Sequence, residues 1–249
     1  MDDPILEVTE NANTYTPLNP GDERIVDGRY VLWMGRSDHP GHNAAQRFRL
    51  EVAEIEPVRA EIHAHLRRRG RTVCTWEVGS SATPPDLAER LLALGLEDDA
   101  DPLVVGMALT QPPAGERPAG IEVRRAASDA DELVAAQIAA AAFGGKPVPR
   151  RFDPDSHVVS YVAYIDGEPV GRATGAFSEY GVSFFGGSVL EHARGRGVYR
   201  ALVLARYEDA VARGTPAALT QAGRQSRPIL ARLGFRETCQ IRMLLDRLP

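Results

Sequence analysis

Arg194-Gly195-Arg196-Gly197-Val198-Tyr199 brings together residue types that can hold a pyrophosphate. Glycines let the backbone come close to a ligand and turn successive N–H groups inward, and the start of a following helix adds partial positive charge. The stretch lies between an apolar strand-like run and an amphipathic helical one, the context in which such a loop presents amides. It points to a phosphate-bearing cofactor. The same residues also read as a solvated basic loop or a nucleic-acid contact. Arg67-Arg68-Arg69-Gly70-Arg71 repeats the spacing without the context, because there the glycine ends a helix and the chain presents carbonyls.

The elements that must position this loop follow from periodicity. Val158 to Ile165, Pro169 to Phe177 and Val182 to Leu190 read as a three-strand meander, turned at Asp166-Gly167 and at Ser178 to Gly181. After the loop, Val203, Leu204, Tyr207, Ala210 and Val211 share one helical face, and Gly214 stops that helix. A strand near Ala217 to Thr220, a short helix from Ser226 to Leu233 and a last strand from Thr238 to Leu245 complete this half. Upstream, Ile121 to Arg125 reads as a strand, Ser128-Asp129-Ala130-Asp131 as a capped helix start, and Glu132 to Phe143 as a helix closed by Gly144-Gly145. The breaker-rich 111–120 segment separates residues 1–110 from 121–249 as a linker between two domains.

Composition narrows the class. The 249 residues, 43% hydrophobic and 25% charged, suffice for one large core or two modest ones. No run of about 18 apolar residues exists, and the opening Met1-Asp2-Asp3 is unlike a targeting signal, so a cytoplasmic, membrane-free protein is expected. Cys74 and Cys239 are too few for a disulfide framework and read as reduced structural thiols. A net charge of −5 argues against general nucleic-acid binding. No metal site is expected, since His63 and His65, two apart on a predicted helix, face different ways.

Strand, Arg-x-x-Gly-x, helix, strand, short helix, Leu233-Gly234-Phe235, strand resembles the GNAT superfamily of CoA-dependent N-acyltransferases over roughly residues 120–249. The resemblance implies an α/β (α+β) fold: a mixed, mostly antiparallel sheet flanked by helices. It implies acetyl-CoA as cofactor, with Val189 and Leu190 along the pantetheine arm and Arg194, Gly195, Arg196, Gly197, Val198, Tyr199 and Arg200 holding the pyrophosphate. The family's loop ends on a small residue where Tyr199 stands here, which puts the packing of the helix start in doubt.

The first half repeats part of the pattern. Helix Pro57 to Gly70, strand Thr72 to Val78, helix Asp86 to Leu92 closed by Leu94-Gly95-Leu96, and strand Leu103 to Leu109 parallel the order after Arg200. In place of the glycine loop stands Leu50 to Glu56, with three carboxylates that would repel a pyrophosphate. Residues 1–110 therefore read as a degenerate or partial GNAT-like domain with a structural role.

The chemistry so implied is direct attack of an amine on a thioester, with backbone N–H groups near Val189 and Leu190 polarising the carbonyl. The acceptor amine must lose a proton and the departing thiolate benefits from a donor. The family often has a tyrosine five residues before the phenylalanine of Leu-Gly-Phe; that position is Leu230. Ser226 is a candidate for contact with the pantetheine or sulfur, or caps a helix. Glu179, in a meander turn, is a candidate base or an exposed turn carboxylate. Glu191 and His192 flank the cradle and either shuttle protons, orient the loop or face solvent, and Phe143, Phe152, Phe177 and Tyr180 line the acceptor site or belong to the core. The leading expectation is an N-acetyltransferase acting on a small-molecule primary amine. A noncatalytic acyl-CoA-binding or interaction protein, a protein N-terminal or lysine acetyltransferase, and a homodimer remain open.

Overall fold

A computed structural model describes residues 3–248. The chain divides into two compact units, one of Met1–Met107, Gln221–Pro228 and Glu237–Pro249, the other of Ala108–Thr220 and Ile229–Arg236.

The first unit opens with helices α1 (Pro4–Glu10) and α2 (Ala12–Tyr15) and the short strands β1 (Glu23–Val26), β2 (Val31–Met34) and β3 (Asn43–Gln46). Helix α3 (Ile55–Arg68), strand β4 (Val73–Gly79), helix α4 (Leu87–Ala93) and strand β5 (Glu97–Leu109) follow. The second unit holds β6 (Ile121–Arg125), α5 (Asp129–Phe143), β7 (Val158–Ile165), β8 (Glu168–Ser178), β9 (Gly181–Val189), α6 (Val198–Ala212) and β10 (Ala218–Ala222). Helix α7 (Arg227–Arg232) and strand β11 (Arg236–Arg247) end the chain.

In the first unit the strands run β1-β2-β3-β4-β11-β5. The last strand, expected to complete the second half, instead pairs antiparallel with β4, from Ile241↔Gly79 to Arg247↔Val73. Local alternation identifies a strand but not its partner, because that choice is made by non-local packing. Strands β3 and β4 are parallel and joined through α3, whose Ile55, Val58, Ile62 and Leu66 fall at helical spacing and are buried. Trp76 of β4 stacks on Phe48 with ring centroids 4.9 Å apart at the centre of this core.

The second unit is ordered β10-β9-β8-β7-β6. The expected meander is present as β7, β8 and β9, antiparallel throughout, while β10 runs parallel to β9 after the α6 crossover. Ser128 caps α5 by accepting from the Asp131 amide, as its spacing predicts. On α6 the buried side chains include Val203, Leu204, Tyr207 and Ala210, whereas Val211, expected on the same face, is half exposed.

One closure recurs at the helix ends. In α3 the Arg71 amide donates to Leu66 O and Gly70 to Arg67 O; in α4, Leu96 to Leu91 O and Gly95 to Leu92 O. Helices α6 (Thr215 to Ala210 O, Gly214 to Val211 O) and α7 (Phe235 to Leu230 O, Gly234 to Ala231 O) close alike. Each is a paired C-terminal bond that requires a left-handed residue, supplied by Gly70, Gly95, Gly214 and Gly234. Leu94-Gly95-Leu96 and Leu233-Gly234-Phe235 are thus helix stops with an apolar residue after the turn.

Glu77 of β4 is buried, with its carboxylate accepting from Asn13 Nδ2 at 3.3 Å and Gln221 Nε2 at 3.2 Å. Burial pushes its carboxyl up to about 7, opposed in part by the Gln221 bond. Between the unfolded value of 4.5 and about 7 the folded chain holds a proton that the unfolded chain releases, so stability falls as pH rises through that window. The expected loss is about 3 kcal/mol by pH 8. Chemical denaturation at pH 4.5 and 8 should show it, and Glu77→Gln should flatten the slope; an equal slope in the variant would assign it elsewhere.

Candidate functional site

The glycine-arginine loop joins a strand to a helix, as its sequence context indicates. Strand β9 ends at Val189, a 3-10 turn spans Glu191–Ala193, and α6 starts at Val198 with Gly197 as its N-cap. Gly195 and Gly197 have φ of +77° and +89°, the left-handed region that side chains resist. No side chain caps α6, so its first amides remain available to an anion. At Gly195 an added Cβ would meet nothing within 4 Å, leaving open space on that side. Arg194 and Arg196 are exposed beside it, and Arg194 Nε donates to Val189 O at 3.3 Å. These residues fit a pyrophosphate.

Of the two residues expected to offer a backbone N–H to a thioester, one has its own already in use. Leu190 N–H donates to Val170 O at 2.8 Å and is already used. Val189, paired opposite Gly171, lies one step along the antiparallel ladder, so its N–H faces away from β8. The register slips just before it: Arg172 opposes Ser188 and Thr174 opposes Phe185, leaving Gly186 and Gly187 against Ala173 alone. Gly186 has φ +52°, and Arg172 pins the bulge by donating to Gly186 O at 2.7 Å and to Thr174 Oγ1 at 2.9 Å. Strand β10 pairs with β9 at Val182, Ser183 and Phe184, so the edge from Phe185 to Val189 is outside that pairing. A Gly-Gly doublet inside an apolar strand is the sequence signal for this bulge.

Tyr199 does more than alter the helix start. Its ring lies against the bulge, where a Cβ on Gly187 would come within 2.9 Å of Tyr199 Cε2. Behind it, Arg206 of α6 is fully buried. Its Nε donates to Leu202 O at 2.9 Å and Nη1 to Thr174 O at 3.2 Å, and its guanidinium stands 3.6 Å from the Phe184 ring centroid. Nη2 has no partner, and burial lowers the group to about 10. The i, i+3, i+4 spacing of Val203, Arg206 and Tyr207 marks Arg206 as inward-facing in the sequence alone.

The 111–120 segment, part of the second unit, passes along the same helix start. Ala114 N donates to Leu233 O at 3.0 Å, Arg200 Nη2 donates to Ala114 O at 3.1 Å, and a Cβ on Gly197 would stand 2.9 Å from Pro118 Cγ. Arg200 is therefore committed partly to the 111–120 segment.

The other candidates have the following surroundings. Glu179 is exposed in the β8–β9 turn, and the bulge at Gly186 lies five residues along β9 from Gly181, roughly 17 Å at about 3.3 Å per residue. Glu179 thus stands at the turn end of β9, away from the bulge. Ser226 belongs to the first unit, and its Oγ donates to Gly223 O at 3.4 Å in a local turn. His192 is exposed and 3.6 Å from Glu168, consistent with orienting the loop. Phe177 is buried and carries Arg213 over its ring, whereas Phe143 is exposed. Leu230 is buried, and both cysteines are free and buried. Two open recesses, about 650 and 500 Å³, are lined by other residues, including Tyr164 and Gly167 in one and Leu109 and Phe235 in the other.

No protein-family profile and no curated protein matches the sequence. Solved structures do match the fold. A GCN5-related N-acetyltransferase from Kribbella flavida superposes with a TM-score of 0.73 at 20% identity, covering 99% of this chain and 96% of that one. One from Sphaerobacter thermophilus gives 0.60 at 19% identity over 89% and 82%. A tandem GNAT protein from the clavulanic acid biosynthesis pathway gives 0.57 at 14% identity over 98% and 87%. The chain has the GNAT fold. No helix among the described residues is long and apolar enough to cross a membrane.

Gly195→Ala and Gly197→Ala separate backbone strain from packing. Each should cost about 1–2 kcal/mol for a side chain in the left-handed region. Gly197→Ala should cost more, because its methyl also meets Pro118. Urea denaturation of both variants measures the difference, and equal losses would mean that the chain at Pro118 yields freely.

Proposed function

We propose that the chain is an acetyl-CoA-dependent N-acetyltransferase that acetylates the primary amine of a small molecule by direct attack. The observation that carries this reading is the uncapped start of α6, with two left-handed glycines, beside a β9 edge left outside the β10 pairing. The similar solved N-acetyltransferases support the class, and two free, buried thiols accord with a cytoplasmic setting.

When bound, acetyl-CoA would supply the acyl group as a thioester whose thiolate departs. The chain's part is to hold and orient it. Amides of residues 195–200 would take the pyrophosphate, with Arg194 and Arg196 adding exposed positive charge. The outward N–H of Val189 and the backbone of the Gly186-Gly187 bulge would orient the thioester carbonyl. Because Glu179 is remote, we assign proton removal from the amine to water or to the free-amine fraction, with rate supplied mainly by positioning.

Calorimetric titration with acetyl-CoA should give micromolar binding, followed by thiol release that depends on an amine from a panel of small amines and peptides. Binding without turnover across the panel would favour a noncatalytic acyl-CoA-binding protein, and release with peptides alone a protein acetyltransferase. Absence of binding at millimolar ligand would overturn the reading. Arg196→Glu should weaken binding about tenfold at low salt, and less at high salt, if its charge meets the phosphates.

A further inference from the structure

We infer that Tyr199 is the proton donor to the departing sulfur, in a place different from the position occupied by Leu230. The inference rests on the acetyltransferase reading above and concerns which residue of this chain completes it.

Four observations converge. Tyr199 is the second residue of α6, so it stands on the helix whose start forms the cradle. Its ring rests on Gly187, at the bulge of β9 and on the stretch outside the β10 pairing. A side chain at 187 would have to push the ring aside. The Tyr199 hydroxyl makes no hydrogen bond among the described residues, although the residue is half-buried, so its donor is unspent. Leu230 is buried and offers no proton.

The surroundings suit a donor. Burial raises the Tyr199 phenol, and Arg206 opposes that rise. Arg206 is itself buried with one unpaired nitrogen, and its charged neighbours are Tyr199 and Tyr161, which favour its cation, and Arg172, which disfavours it. Tyr161 is held by Asp209 and is not free to act. Ser188 follows Gly187 in the strand and therefore points to the opposite face. A positive charge behind the phenol stabilises the tyrosinate left by proton transfer.

In the step proposed, the amine nitrogen bonds to the thioester carbon and the C–S bond breaks with its electron pair on sulfur. Tyr199 passes its hydroxyl proton to that sulfur, giving the free thiol. The proton lost by the amine nitrogen restores the phenol through solvent, so amine and acetyl-CoA become amide and CoA with no other reactant.

Tyr199→Phe tests this, because it keeps the ring against Gly187 and removes only the hydroxyl. The bound CoA thiol is titrated by its thiolate ultraviolet absorbance, with the apoprotein subtracted. In the wild type it should ionise about one pH unit below free CoA, and in Tyr199→Phe at the free value. Acetyl-CoA affinity should stay within about twofold, while kcat on the amine chosen by the panel falls about 100-fold with KM unchanged. Identical thiol titration and kcat in the two proteins would overturn the assignment. So would a folded Tyr199→Phe that loses acetyl-CoA affinity, which would make the tyrosine a packing residue. If the wild type binds no acetyl-CoA, the acetyltransferase reading fails and takes this one with it.

Discussion

Everything at the site depends on how β9 hands over to α6. The strand must end, turn and begin a helix within eight residues while leaving the helix's first amides pointing outward. Gly195 and Gly197 make this feasible, since both take positive φ and neither adds a side chain that would compete for the amides. With no cap, the helix start retains its dipole for an external anion. A serine or aspartate at position 197 would satisfy those donors internally and so remove the anion site.

A second constraint is set by the bulge. Two glycines against one residue of β8 bend β9 where its pairing with β10 has already ended. Arg172 fixes the bulge from one side and Tyr199 fills the other. Arg206 is the costly element of this arrangement. A buried guanidinium without a carboxylate must be offset by carbonyls and an aromatic face, here Leu202, Thr174 and Phe184. One of its nitrogens is still unsatisfied, and replacement by a nonpolar residue would relieve that cost. Its presence accords with an electrostatic role beside the tyrosine.

Local signals carried much of the fold. The meander was legible because Asp166-Gly167 and the alternating strands on either side leave little freedom in register, and the helix stops because glycine alone adopts the C-terminal turn readily. The early strands β1, β2 and β3 escaped notice, since four residues each give too short a period to recognise. Partner choice was equally hidden, as β11 shows by pairing with β4. At the site, the cradle was legible from its glycines. The roles of Gly187 and Tyr199 were not, because each acquires meaning only from the other across twelve positions of chain.

The crossover of the first unit shows by contrast what the glycines accomplish. Strand β3, a 3-10 turn at Val52–Glu54 and helix α3 lead into a parallel β4, the same order as β9, turn, α6 and β10. There α3, like α6, carries no side-chain cap of its own, but the 3-10 turn that runs directly into it is closed from within: Glu54 accepts from the Glu51 amide at 2.8 Å, and the Glu51 side chain accepts in return from the Glu54 amide. Two donors are thereby consumed and two negative charges occupy the mouth. An incoming pyrophosphate would have to displace both bonds and face both carboxylates. The same backbone path thus serves as a stable helix entry in one half and remains open to an anion in the other, and the difference lies in whether carboxylates or left-handed glycines stand before the helix.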